Sequence, residues 1–428
     1  MYRLILVIVS FLVLFSTNCY SQDWPDWRGE KRDGIWSETG IAEKFGADEL
    51  VPKWSAAIGS GYSGPTVSNG KVYLADLLKD PTQTEGVLCF NAQTGEKIWE
   101  YRYPCEYSGI GYPAGPRASV VIKNSKAFSL GTMGNLFCFD AENGTVLWQR
   151  DLNKEYEIRM PTWGISATPI ITDNKIILQI GGSKNACVVA LDINSGEEIW
   201  RNLEDIAAYS APVIIEKNGV KVVVVCTENS VSGLNPETGE IYWRFPWEVG
   251  SGMSIATPVF YKDHLFLSCF YSGSLLLKLN NNYTSVEKVW QRSGENEQNT
   301  DALHCVINTP VIIDDFIYGV DSYGELRCLE FETGDRVWED LTVVKKNRWA
   351  NIHFVQNENK TWMFNEHGEL IISELSSEGI NVVSRTKIIE PTKEQLPRGV
   401  TWSHPAFANK HVFIRNDIKL VCVDLTKK

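Results

Sequence analysis

Three of the chain's six histidines, His304, His353 and His404, stand with Asn308, Arg348, Trp349, Asn351 and Trp402 in the connections between the last strand-like runs of the sequence. A matching collection, Tyr62, Ser63, Tyr112, Arg117, Trp163, Ser166 and Tyr209, lies in the first half. These residue types suit several chemistries. Aromatic faces flanked by hydroxyls, amides and arginines fit a sugar-like or other small polar organic ligand. Arg117 and Arg348 can each hold a carboxylate or sulfate through two parallel N–H donors. The three histidines are potential metal ligands, although they do not sit at equivalent offsets. Alternatively, all of these groups hydrogen-bond among themselves and simply line a wall. Residue type alone leaves these options open.

Several other chemistries lack their motifs. Gly59-Ser-Gly-Tyr-Ser-Gly64 has the glycine spacing of a dinucleotide site, but Pro65 and a strand-like run follow it. Pyrophosphate binding needs a helix N-terminus at that point. Gly164-Ile-Ser166 fails as a nucleophile elbow for the same reason. The sequence has no Cys-x-x-Cys, which removes zinc ribbons, thioredoxin-like sites and covalently attached haem. A net charge of -12 argues against nucleic acid, whose recognition depends on clustered Lys and Arg. Cys89, Cys138, Cys187, Cys226, Cys269, Cys328 and Cys422 lie in apolar strand-like runs and read as small buried hydrophobes. Cys105 and Cys305 lie in loops and are the remaining pair for a disulfide.

What would position the candidate residues is a repeat. Cys138-Phe-Asp-Ala-Glu-Asn-Gly-Thr-Val-Leu-Trp148 reads as a strand, a tight Asn-Gly turn and a second strand ending in tryptophan. Copies stand at Cys89–Trp99, Ala190–Trp200, Gly233–Trp243 and Cys328–Trp338, each with glycine four residues before tryptophan. A fifth-blade copy, Asn280–Trp290, is two residues longer and lacks the turn glycine. Two further strand-like runs precede each unit. Tryptophans at 54, 99, 148, 200, 243, 290 and 338 are 43 to 52 residues apart. Four strands per such period predict a β-propeller. First strands near Pro65, Ser119, Pro169, Pro212, Pro258, Pro310, His353 and Pro405 make eight blades. The seventh blade has Val383 in place of tryptophan, and the last ends at Thr426 without an outer strand. Val51-Pro-Lys-Trp-Ser-Ala-Ala57 is an orphan strand carrying the missing tryptophan. The expected fold is therefore all-β: an eight-bladed propeller of four-stranded antiparallel blades, closed by an N-terminal strand that completes the last blade. In such a ring the candidate residues sit between the outer strand of one blade and the inner strand of the next, around one channel mouth.

The repeated Ala/Cys-x-Asp-x-x-x-Gly-x-x-x-Trp pattern resembles the PQQ-like repeat propellers. That superfamily includes quinoprotein alcohol dehydrogenases and a propeller lipoprotein of the outer-membrane β-barrel assembly machinery. Trp24–Gly34, Tyr107–Pro113, Arg348–His353 and Thr401–Ala408 resemble segments of exported bacterial PQQ-binding-like β-propeller repeat proteins. For the dehydrogenases the resemblance implies a PQQ cofactor, calcium-ligating Glu, Asn and Asp, and an aspartate base. Asp301, Asn308 and Asn351 lie in the right kind of loop. The adjacent cysteines of many such enzymes are missing, and PQQ rests on the resemblance alone.

Residues 1–21 read as an export signal: Arg3, an apolar run from Leu4 to Phe15, and small residues before a cleavage point after Ser21. The run is too short for a comfortable transmembrane span. Asn18 fits lipoprotein processing poorly, which disfavours a lipid anchor at Cys19. Residues 22–428 then form one propeller domain, periplasmic or secreted. The sequence points to a channel mouth made of Tyr62, Arg117, Trp163, His304, Asn308, Arg348, Trp349, Asn351, His353, Trp402 and His404. It would bind a small polar, sugar-like ligand or an envelope protein. The alternatives are a PQQ- or metal-dependent oxidoreductase of alcohols or sugars, and an envelope assembly scaffold.

Overall fold

The computed structural model describes residues 22–46 and 50–428, so the expected export signal and Cys19 lie outside the described residues. The repeat unit folds as its chemistry dictates. Strands Asn135–Asp140 and Val146–Asp151 pair antiparallel across a turn in which Asp140 accepts the N–H groups of Glu142 and Asn143. Cys138 lies directly opposite Trp148. The same register sets Cys89 against Trp99, Ala190 against Trp200, Gly233 against Trp243 and Cys328 against Trp338. A small residue suits that position because the indole lies over it, and a Cβ on Gly233 would meet Trp243 at 2.3 Å; the irregular fifth blade instead sets Leu276 opposite Trp290.

Each indole then reaches the following blade. Nε1 of Trp99 donates to the Ala141 carbonyl at 3.0 Å, and that of Trp200 to Pro236 at 3.0 Å. The turn glycine of the following blade lies beneath the ring. Gly144, at φ +74°, would place a Cβ 2.7 Å from Trp99. The Gly-x-x-x-Trp spacing is thus the signature of blade-to-blade contact: glycine receives the previous blade's indole and tryptophan contacts the next blade. Burying about 150–250 Å² per indole stabilises each joint by at most roughly 4–6 kcal/mol.

Eight four-stranded antiparallel sheets result, each in sequential strand order except the last. That sheet joins Ala406–Ala408, His411–Arg415 and Lys419–Asp424 to the N-terminal strand Trp54–Ala57, with Trp54 opposite Cys422. The ring therefore closes as the orphan strand predicts. At the joint between blades seven and eight the outer strand has no tryptophan, and the register sets Ser384, rather than the expected Val383, at that position opposite Ile372. Trp36 and Phe45 pack around Trp362 there, with Phe407 alongside. The N-terminal segment thus supplies aromatics where the repeat lacks one.

The structure answers the question, left open by the sequence, of whether Cys105 and Cys305 pair. Cys105 and Cys305 are both free, buried thiols. Cys105 packs with Tyr103 and Phe137 between blades one and two, whereas Cys305 packs with Leu303 and Ile317 between blades five and six. Separate inter-blade cores keep them from the approach of about 7 Å that a disulfide needs.

The segment around Trp24–Trp36 crosses the channel. Trp24 exchanges backbone bonds with Val67 of blade one, and Pro25 accepts the Ile122 N–H of blade two. Arg32 donates to the carbonyls of Thr168, Pro169 and Pro212 at the starts of blades three and four. It also pairs with Asp26 at 2.8 Å. Trp27 Nε1 donates to Thr257 of blade five, and Gly34 and Trp36 bond Gln356 of blade seven. This plug closes one end of the channel.

Candidate functional site

Above the plug lies a blind cavity of about 160 Å³, open to solvent at its mouth. Its floor is Trp27 and His404, whose rings lie 5.1 Å apart. Its wall is largely aromatic, with Tyr62, Tyr112, Trp163, Tyr209, Trp349 and Trp402 contributed by the connections between blades. Met253, Ile255, Val306 and Ile307 add aliphatic surface from the connections leading into blades five and six.

Two of the aromatics bridge the mouth. Tyr112, between blades one and two, meets Trp349, between blades six and seven, edge to face at 6.0 Å. Both hold left-handed backbones, φ 53° and 65°. For bulky residues this conformation costs about 1–3 kcal/mol and persists only where the surroundings enforce it. Trp349 is held by Arg348, which lies over its ring at 4.4 Å and over Phe270 at 5.5 Å.

Among the described residues, Arg117 is the one arginine or lysine that lines the cavity, and no carboxylate lines it. It stacks over Tyr62 at 4.9 Å and donates to the carbonyls of Gly111, Tyr112 and Gly115. Three of its five N–H donors are engaged with backbone. Burial lowers its pKa, and among the described residues Glu85 acts on it only as a distant charge. The guanidinium remains a cation in aromatic surroundings, without a salt-bridge partner among the described residues. Several other polar groups of the wall bond protein atoms, although the buried Trp349 Nε1–H has no partner among the described residues. Tyr62 donates to Tyr112, Ser166 to Gly164, Thr168 accepts from Ser119, and Tyr209 accepts from Trp163.

Of the residues expected at the mouth, the structure brings together Tyr62, Arg117, Trp163, Trp349, Trp402 and His404. The others lie behind the wall. His304 donates through Nδ1 to Phe270 and accepts the Gly294 N–H at Nε2. Asn308 uses both amide atoms on the backbone of Val320. Arg348 grips Glu297 with two bonds of 2.7 and 2.6 Å. Asn351 lies 3.1 Å from His353, whose Nε2–H donates to the Trp402 carbonyl at 2.7 Å. Burial holds His353 down at about 4. Trp27, Met253, Ile255, Val306 and Ile307 also line the cavity, and the sequence does not single them out. Nothing in the repeat marks them, because four are plain hydrophobes and Trp27 enters from an extended segment far away in the chain.

A calcium–quinone centre does not fit these groups. Asp301 is bound by Arg292 at 2.8 and 3.0 Å, Asn308 is consumed by Val320, and neither they nor Asn351 reach the cavity. No group of three or more His, Cys, Asp or Glu among the described residues converges as a metal site. Among the described residues, no helix is long and apolar enough to cross a membrane.

Comparison with known proteins agrees with this architecture. The family model described as outer membrane protein assembly factor BamB matches residues 47–218 and 83–340. The outer membrane protein assembly factor BamB of Yersinia pestis is 24% identical over 302 residues, 68% of this chain and 70% of that protein. The structure of BamB from Moraxella catarrhalis aligns with a TM-score of 0.59 at 14% identity, over 89% of this chain and 99% of that one. Quinohemoprotein alcohol dehydrogenase from Comamonas testosteroni aligns with a TM-score of 0.65 at 12% identity, over 95% of this chain and 81% of that one. At such identities the two structural likenesses establish the fold alone.

Proposed function

The chain belongs to the PQQ-type propeller family described as outer membrane protein assembly factor BamB, and from that premise we propose that its channel mouth binds a small, flat organic anion. The observation that carries this reading is Arg117, an unpaired cation in a blind cavity of aromatic side chains. A ligand's anionic group would take the donors that the backbone leaves free, and its apolar body would stack on the indole and phenol walls. A sugar suits this wall poorly. The hydroxyls of Tyr62 and Ser166 are already donated to backbone carbonyls and most of the lining is aromatic or aliphatic, so several of a sugar's hydroxyls would be buried unpaired, at about 1–3 kcal/mol each.

Calorimetry with phenylacetate and indole-3-acetate, against glucose and maltose, tests the reading. The acids should bind and Arg117→Leu should weaken them by about ten- to a hundredfold, the worth of a charge-assisted hydrogen bond. Arg117→Lys, which keeps the charge, guards against a general loss of fold. Binding of the sugars but not of the acids would overturn it.

A second reading, a scaffold for envelope proteins, is supported by the family match and by the Yersinia relative described as an assembly factor. We place the protein in the bacterial envelope on the same ground, together with the expected export signal at 1–21. Cell fractionation tests the location. Cross-linking in intact envelopes tests the scaffold, which loses its basis if no envelope protein is captured at the mouth.

A further inference from the structure

The floor of the cavity carries a polar atom that the protein leaves unmatched. His404 is only 5% exposed, yet it lines the cavity. Its Nδ1 lies 2.6 Å from the Pro405 carbonyl. A carbonyl can only accept, so Nδ1 carries the proton and Nε2 is a bare acceptor. No donor of the surrounding wall, among the described residues, reaches it. Trp27 Nε1 is engaged by Thr257 at 2.9 Å, Trp402 Nε1 by Glu366 at 3.0 Å, and the Tyr62 hydroxyl by Tyr112 at 3.1 Å. The imidazole is pinned between Trp27 and His353, at centroid distances of 5.1 and 4.9 Å, so it cannot swing to another partner. Burial, the neighbouring His353 and the Arg28 guanidinium all oppose its protonation, and His404 titrates well below the ordinary imidazole range. It therefore stays an acceptor throughout the physiological pH range.

We infer that the ligand enters with a hydrogen-bond donor leading, an aromatic hydroxyl or ring N–H, and that His404 selects for that donor. The inference rests on the anion-binding reading above and narrows it. Arg117, held in the connection between blades one and two, takes the acidic end; His404, on the plug side, takes the donor end. The class that satisfies both is a hydroxy-aromatic or indolic acid. A site built around a buried acceptor discriminates strongly against an analogue lacking the donor, because the acceptor is then left unpaired.

The test is calorimetry on the full chain with 4-hydroxyphenylacetate, 4-methoxyphenylacetate and phenylacetate. The wild-type protein should prefer the phenol over its methyl ether by about tenfold or more. His404→Gln, which still offers a carbonyl acceptor, should keep that preference, and His404→Leu should lose it while still binding phenylacetate. Arg117→Leu should weaken all three compounds alike. Equal affinity of the wild-type protein for the phenol and the ether would overturn the role of His404 and leave the anion site standing. Failure of all three acids to bind would overturn both. The wild-type comparison decides the question even if a variant does not fold, and a purely structural histidine would not produce a preference for the donor.

Discussion

Acid should destabilise this propeller through His353, and the amount follows from its surroundings. The imidazole is fully enclosed beside His404, with the Arg28 guanidinium near by, and donates from Nε2 to the Trp402 carbonyl. Burial lowers its pKa from 6.5 to about 4. Between these values the unfolded chain takes up a proton that the folded protein refuses. The contribution to stability is therefore complete above pH 6.5 and is lost as pH falls towards 4. For one such group the loss is about 0.2 kcal/mol at pH 7 and about 2 kcal/mol at pH 5, a difference of about 1.8 kcal/mol. His353→Gln keeps an N–H for Trp402 and removes the titration. Urea unfolding followed by tryptophan fluorescence at both pH values would compare the two proteins. The wild-type protein should lose about 1.8 kcal/mol more than the variant on acidification. Equal losses would show that His353 protonates freely in the folded protein, which requires water to reach it through a floor that the structure closes.

Three further outcomes are expected. Gly144→Ala adds a Cβ 2.7 Å from Trp99 at a left-handed backbone position, and should lower stability by about 1–3 kcal/mol in the same assay. Arg32→Met strands the buried Asp26 carboxylate in the plug and should cost about 3–5 kcal/mol, much of it regained in the Arg32→Met/Asp26→Asn double variant. The nine described thiols are buried, with Cys269 and Cys328 pushed up to about 11 by burial. An aromatic disulfide reagent at pH 8 should therefore label none of them in the native protein and all of them in guanidinium.

The ring was legible because its joints repeat. In the five regular copies glycine, tryptophan and the small residue opposite tryptophan serve the same contact, so they recur together; the fifth blade, with Leu276 opposite Trp290, departs from them. The orphan strand around Trp54 could be placed for the same reason, by the repeat position left vacant. The mouth was legible only in part. Tyr62, Arg117, Trp163, Trp349, Trp402 and His404 converge, but His304, Asn308 and His353 serve the wall behind them. Residue type and position along a connection do not reveal which way a side chain turns, and a backbone carbonyl competes for the same donors as a ligand. Trp27 was invisible for a different reason: it reaches the cavity through a segment whose path depends on contacts with most of the blades at once. Whether Cys105 and Cys305 pair was illegible on a similar point, since two loops that look alike in sequence belong to different joints of the circle.

The closing strand also has a kinetic side. Trp54 pairs with Cys422, so the two partners are separated by 368 residues, and bringing such distant points together costs about 5 kcal/mol of chain entropy before any contact is gained. Synthesis begins at the N-terminal end, so Trp54 emerges early and must wait, unpaired, until the last blade exists. Trp27 belongs to that waiting segment, whereas its neighbour on the cavity floor, His404, arrives with the last blade. A chain halted partway would carry half a floor and an open arc of wall, and ligand binding would then report completion of the circle as much as the presence of the protein.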